Sequence, residues 1–151
     1  MKVYRISKCK YINDLSGYGA FMNGGRWNSV NTRMLYSSQS ASLALLETLA
    51  HLPSYLAPEG FCLLSLEIPS KEIQELKKEY LPANWNQYPN VYATQKIGDD
   101  FINKNNKLIL KVPSCIINSE YNYLINPLNE KIKDVKIISI ENIEVDKRLK
   151  K

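Results

Sequence analysis

The chain has 151 residues, 44 % of them hydrophobic and 23 % charged, with a formal net charge of +5. That composition suits one folded domain with its own core and excludes a disordered chain. No apolar run approaches the roughly 20 residues of a bilayer span, so no membrane partner is expected.

The N-terminus Met1-Lys2-Val3-Tyr4-Arg5 lacks the apolar core of a signal peptide, which gives a cytoplasmic expectation. Four of the positive charges, Lys147, Arg148, Lys150 and Lys151, lie in the last five residues. Lys71, Lys77 and Lys78 are interleaved with Glu72, Glu75 and Glu79 and read as a solvated face. Direct nucleic-acid binding is therefore not expected. Cys9, Cys62 and Cys115 are widely spaced, with no CxxC pair and a single histidine, His51. No metal site is expected, and an odd thiol count argues against a disulfide framework. The three cysteines read as small core residues in a reducing compartment.

In chain order, residues 2–6 alternate and open as a strand. Residues 13–33, rich in Gly, Asn and Ser, form a long loop, and long loops in compact domains are usually functional. A short strand follows at 34–37. Ser40 caps a helix that runs to about Leu52 and stops at Pro53. Leu45, Leu46 and Leu49 are its expected buried stripe. Residues 61–68 form an apolar strand and 72–79 a short helix. Residues 81–89 are a loop. Asn90 caps a second long helix carrying Val91, Ala93, Thr94, Ile97 and Phe101, in which Gly98 costs about 1 kcal/mol against alanine and so implies a packing reason. Strands are expected at 108–112, 114–117 and 123–126, and at 135–145 with a break. The pattern predicts an α+β fold: a single domain over 1–151, with one split or curved antiparallel sheet flanked by helices. Neither GxGxxG nor GxxxxGK[ST] is present, so Rossmann and P-loop nucleotide sites are excluded.

The densest chemistry lies in Gly24-Gly25-Arg26-Trp27-Asn28, then Tyr36-Ser37-Ser38, then Glu47. Together they supply a cation, a stackable aromatic, a hydroxyl pair and a carboxylate, the parts needed to hold a dinucleotide and cleave a glycosidic bond. A guanidinium beside two glycines can fork onto a pyrophosphate. A tyrosine ring can stack on a flat heterocycle. A carboxylate in the apolar run 41–50 must line a cleft or be paired, with His51 one turn away as neighbour. Ser114, at a strand junction after Pro113, offers a hydroxyl. Taken singly, each is an ordinary surface, core or turn residue.

In combination these segments resemble a known family. Tyr4-Arg5-Ile6, Gly24-Gly25-Arg26-Trp27-Asn28, Leu35-Tyr36-Ser37-Ser38 and Leu43-Ala44-Leu45-Leu46-Glu47 are similar to the front half of the RES-domain toxins. Leu81-Pro82 with Trp85, Ala93-Thr94-Gln95-Lys96-Ile97-Gly98-Asp99, Leu110-Lys111-Val112-Pro113-Ser114 and Asn122-Tyr123-Leu124-Ile125-Asn126-Pro127 resemble the second half, in order. The chain departs from the family pattern at Ser29-Val30-Asn31-Thr32, where a glycine is usual, and at Leu128-Asn129, where His-Pro is common. Asn31 tolerates the positive φ such a turn needs.

The resemblance implies an ADP-ribosyltransferase-like fold and the toxin of a bacterial type II toxin–antitoxin pair. Its substrate would be NAD, with no metal. Cleavage of the nicotinamide–ribose bond would deplete NAD, by glycohydrolase or phosphorylase action. The alternative is mono-ADP-ribosylation of a protein; a non-catalytic binding module is the remaining rival. The implied partner is an Xre-type helix-turn-helix antitoxin in an oligomeric complex. Arg26, Glu47 and Ser114 match the family's arginine, glutamate and serine, and Tyr36 the tyrosine that stacks on nicotinamide. Arg26, Tyr36 and Glu47 are thus the expected catalytic residues, and Arg26, Trp27, Tyr36, Ser37 and Ser114 the expected NAD-binding residues.

Overall fold

Across residues 1–90 and 92–149, which the computed structural model describes, seven strands join in one sheet. They are β1 (Lys2–Lys8), β2 (Leu35–Ser38), β3 (Phe61–Glu67), β4 (Ile73–Glu75), β5 (Ile109–Pro113), β6 (Tyr121–Ile125) and β7 (Lys136–Ile143). The helices are α1 (Tyr18–Asn23), α2 (Ala41–His51) and α3 (Tyr92–Lys104). The order in space is β4-β5-β6-β2-β1-β3-β7, antiparallel except for the parallel β4–β5 pair. This is the α+β class expected from the sequence.

The sheet carries a core on each face because side chains alternate along a strand. Val3, Leu35, Leu64, Leu66, Ile109 and Ile125 belong to one cluster. Trp27, Met34, Phe101, Leu110, Val112 and Leu124 belong to the other, under α3. Successive residues of β5 and β6 thus serve opposite cores, which explains why those strands read as continuous apolar runs.

The split lies between β1 and β2, which pair at a single position, Tyr4 with Ser38. β1 otherwise follows β3 through seven pairs, and β2 follows β6 through four. The two halves of the sheet diverge beyond Tyr4, and the cleft opens where the ladder stops.

α2 begins as expected, with Ser40 Oγ accepting from Leu43 N at 3.1 Å. Its buried side chains are Leu43 and Ala44, while Leu46 is 37 % exposed. The inward stripe therefore runs through 43, 44, 47 and 48 rather than 45, 46 and 49, and Glu47 faces inward with it. Gly98 has the implied packing reason: a Cβ there would fall 1.6 Å from the Trp27 carbonyl oxygen. Asn31 adopts φ of 75°, the left-handed turn that residue type tolerates.

Several expectations change. The loop at 13–33 contains the short helix α1. The short helix expected at 72–79 is replaced by β4, because Ile73–Glu75 pairs with β5, and only the 3-10 turns Ser70–Glu72 and Lys78–Tyr80 flank it. No strand forms at 114–117: β5 ends at Pro113, and Ser114 Oγ accepts from the backbone N–H of Ile116 and Ile117 at 3.0 and 3.1 Å, making a turn. β7 runs unbroken, with a register shift opposite Ser65 and Leu66. Cys9 and Cys62 are joined in a disulfide, against the expectation of three free thiols. The β1–β3 register brings residues 53 apart side by side, a proximity that spacing along the chain hides. Cys115 is free. Val91, named in the second helix, and Lys150 and Lys151 of the basic tail lie outside the described residues.

Candidate active site

A cleft of about 690 Å³ opens at the split, within the range of about 300–1,000 Å³ common to small-molecule sites. Arg5, Arg26, Tyr36, Glu47, Cys115 and Asn122 all line it. Arg26, Tyr36 and Glu47, widely spaced in sequence, therefore share one cavity.

Glu47 is held from two sides. Its Oε1 accepts from Ser114 Oγ at 3.0 Å and from Asn122 Nδ2 at 2.7 Å. The Ile116 and Ile117 amides occupy the Ser114 lone pairs, so its one proton is directed at the carboxylate. Asn122 is fixed in turn, its Oδ1 accepting from Ser38 Oγ at 2.7 Å. Among the described residues, every hydrogen bond to this carboxylate ends on Oε1. His51 does not pair with the Glu47 side chain; its Nδ1 lies 2.8 Å from the Glu47 backbone oxygen.

Tyr36 is locked by its hydroxyl, which donates to Asn28 Oδ1 at 2.7 Å and accepts from Trp27 N at 3.1 Å. Burial raises its pKa above the ordinary phenol value. Gly25 makes room for this arrangement, since a Cβ there would meet the Tyr36 hydroxyl at 2.7 Å. Asn28, fully buried, anchors the same loop through Nδ2 to the carbonyls of Ala20 and Thr32 at 2.8 and 3.0 Å.

Arg26 Nη1 donates to the carbonyl oxygens of Trp85 and Gln87 at 2.7 and 2.9 Å. The loop at 81–89 thereby holds the guanidinium from outside, and Trp85 is pinned against Trp27 with ring centres 6.3 Å apart. Trp27 is 2 % exposed and belongs to the core cluster beneath α3, while also bordering the cleft. Ser37 is also buried, its hydroxyl donating to Tyr123 O at 2.8 Å on the far side of β2 from Tyr36. Ser114 is fully buried, and its hydroxyl reaches Glu47.

α3 braces the loop. Gln95 Nε2 donates to Gly25 O at 3.0 Å, and Asp99 accepts from Ser29 N at 3.0 Å and from the Ser29 hydroxyl. The Asn126-Pro127 segment lies elsewhere: Asn126 and Asn129 both donate to Asn105 Oδ1, at 2.9 and 2.7 Å, and shape a turn.

The residue given no role from sequence is Arg5. Its Nη1 donates to Tyr36 O at 3.2 Å, across the gap where the β1–β2 ladder is broken. Its Nε is buried without a hydrogen-bond partner. Burial lowers its pKa, with Asp14 opposing the shift. The available signal was a charge at the centre of a strand, between Tyr4 and Ile6. Cys115 also lines the cleft, its thiol pKa raised by burial and lowered in part by Arg26. Among the described residues, no three His, Cys, Asp or Glu side chains gather as metal ligands. Nor is any helix of the described residues long and apolar enough to cross a membrane.

Residues 2–146 match the family model of the RES domain. The chain belongs to the RES-domain family. "Toxin Res" of Photorhabdus laumondii is 33 % identical over 153 residues, covering 100 % of this RES chain and 98 % of the relative. "Prs ADP-ribosylating toxin" of a Sphingobium strain is 33 % identical over 140 residues, 91 % of this chain and 87 % of that one. Among solved structures, the M. tuberculosis MbcT–MbcA toxin–antitoxin complex contains a chain with the same fold. Its TM-score is 0.78 at 16 % identity, over 94 % of this chain and 83 % of that one.

Proposed function

We propose that this RES protein is the toxin of a toxin–antitoxin pair and cleaves the bond between nicotinamide and ribose in NAD. The observation that carries the proposal is the carboxylate of Glu47, fixed by Ser114 and Asn122, in one cleft with Arg5, Arg26 and Tyr36. Nicotinamide leaves as a neutral base, taking the electron pair of the C1′–N bond, so no general acid is required. What the protein must stabilise is positive charge developing at the ribose, as in glycoside hydrolysis. Glu47 supplies a preorganised negative group there, and its fixed position avoids reorganisation during the step. Tyr36 presents its ring to the nicotinamide. Arg26 and Arg5 supply cations for the pyrophosphate. Ser114 acts through Glu47, and Trp27 and Ser37 act as supports. Water attacks C1′ and gives up its proton to complete hydrolysis.

The test is nicotinamide release from NAD by purified protein. Glu47→Gln preserves the shape and an acceptor for Ser114 and Asn122, so folding is retained while release falls by at least about 100-fold. Unchanged release in that variant overturns the mechanism. The second reading, transfer of ADP-ribose to a protein, draws on the name of the Sphingobium relative. A target gaining one ADP-ribose, with NAD levels sustained during growth arrest, would favour it. The proposed setting is the cytoplasm, with a helix-turn-helix antitoxin of Xre type closing the cleft in an oligomeric complex.

A further inference from the structure

The Arg26 guanidinium has five N–H donors, and the two on Nη1 go to the carbonyl oxygens of Trp85 and Gln87, at 2.7 and 2.9 Å. Nε and Nη2 keep the other three, on the edge that forks onto a phosphate. Arg26 lines the cleft, and its charge reaches the Tyr36 hydroxyl and the Cys115 thiol there. Residues 81–89 form no helix or strand, yet the two oxygens converge on one nitrogen. Successive turns shape that approach: Trp85 N donates to Pro82 O at 3.0 Å and Gln87 N to Asn84 O at 3.1 Å. The half-buried Trp85 ring is the anchor, packed with Leu81 against the core cluster that contains Trp27. The backbone around Arg26 is gripped separately, because Gln95 Nε2 of α3 donates to Gly25 O and Asn28 O, at 3.0 and 3.3 Å.

We infer that Trp85 is a positioning residue for the diphosphate of the substrate: its ring, seated against Trp27, holds the 85 and 87 carbonyls that turn the free edge of Arg26 into the cleft. The identity of the diphosphate rests on the NAD reading above. A loop arginine ordinarily gives up rotamer freedom when it grips an anion. Here two carbonyls fix the guanidinium plane beforehand, so less freedom is lost on binding. Trp85 acts through Arg26 and not on the substrate itself. The Leu81-Pro82 and Trp85 motif thereby gains a role that the cleft residues alone do not give it.

Calorimetric titration of the purified full chain with ADP-ribose tests this, with nicotinamide release from NAD measured alongside and circular dichroism as the folding control. ADP-ribose carries the diphosphate without the scissile bond, so binding and chemistry are read separately. Trp85→Ala is expected to weaken ADP-ribose about tenfold. The KM for NAD rises by a similar factor, and kcat changes less. Trp85→Phe keeps a ring against Trp27 and recovers most of the affinity. Pro82→Gly frees the turn while leaving the Trp85 ring in place, and weakens ADP-ribose in the same direction even where Trp85→Ala fails to fold. In an Arg26→Ala background, where the positioned group is gone, Trp85→Ala adds less than about twofold. Unchanged ADP-ribose affinity in folded Trp85→Ala or in Pro82→Gly overturns the inference. Full additivity with Arg26→Ala also overturns it, making Trp85 a structural residue only. Wild-type protein that binds ADP-ribose but releases no nicotinamide overturns the proposed reaction, and the same titrations still decide the role of Trp85. Wild-type protein that binds no ADP-ribose overturns both.

Discussion

Ser114 and Glu47 stand 67 residues apart in the chain and are joined by a 3.0 Å hydrogen bond. The serine cannot turn its proton elsewhere without giving up the amides of Ile116 and Ile117, so a turn at the end of β5 sets the angle of a carboxylate on α2. Ser114→Ala should leave Glu47 held by Asn122 alone and deprive the Ile116 and Ile117 amides of their acceptor. The expected result is a stability loss of about 1–3 kcal/mol in chemical denaturation. Nicotinamide release should also slow, with kcat falling more than KM rises.

Arg5 is half-buried, and its Nε is enclosed without a hydrogen-bond partner, an arrangement that costs stability in the free protein. Arg5→Met, similar in length and uncharged, should fold with stability equal to or above wild type. Its KM for NAD should rise at least about tenfold, reflecting a lost charged contact worth about 1.5–3 kcal/mol. Urea titration alongside steady-state kinetics checks both halves; a destabilised variant with unchanged KM would make Arg5 a purely structural residue.

Gly98 lets α3 lie directly on the Trp27 carbonyl, where a Cβ would sit at 1.6 Å. Alanine ordinarily stabilises a helix, so Gly98→Ala is expected to have the opposite sign here. Backbone must move to admit it, with a loss of about 1–3 kcal/mol or more. Gln95 and Asp99 on the same helix hold the Gly25–Ser29 loop, so Arg26 should shift with it and activity should fall. Thermal melting together with nicotinamide release measures both.

Burial raises the Tyr36 pKa, so the folded protein retains that proton after the unfolded chain has lost it. The unfolded state then binds fewer protons, and stability must fall as pH rises. The window begins near the unperturbed tyrosine value of about 10. Tyr36→Phe removes this part of the alkaline decline. It is less stable than wild type at pH 8, having lost the hydroxyl's bonds to Asn28 and Trp27, and the difference should narrow above pH 10. Urea denaturation at pH 8 and pH 11 tests the sign.

Arg26, Tyr36 and Glu47 were legible because residue type, order and local context constrain them. A helix after Ser40 and a strand at 34–37, one residue short of the observed end at Ser38, follow from capping and alternation alone. Arg5 was not legible as a site residue, because its meaning depends on a missing rung between β1 and β2. Trp27 and Ser37 line the cleft, but the packing of Trp27 beneath α3 and the bond from the Ser37 hydroxyl to the Tyr123 carbonyl depend on pairings that the sequence does not show. The Cys9–Cys62 pair was hidden for the same reason, since strand register brings those residues together.

The sequence by itself determined the α+β class, the family and the residue types of the cleft, since periodicity, caps and motif order are local properties. Only the tertiary structure decided where the sheet splits, that Ser114 and Asn122 converge on one oxygen of Glu47, and that the 81–89 loop holds Arg26. Those contacts join residues tens of positions apart. Their geometry is set by strand register and by the close approach Gly98 allows, neither of which a linear pattern encodes.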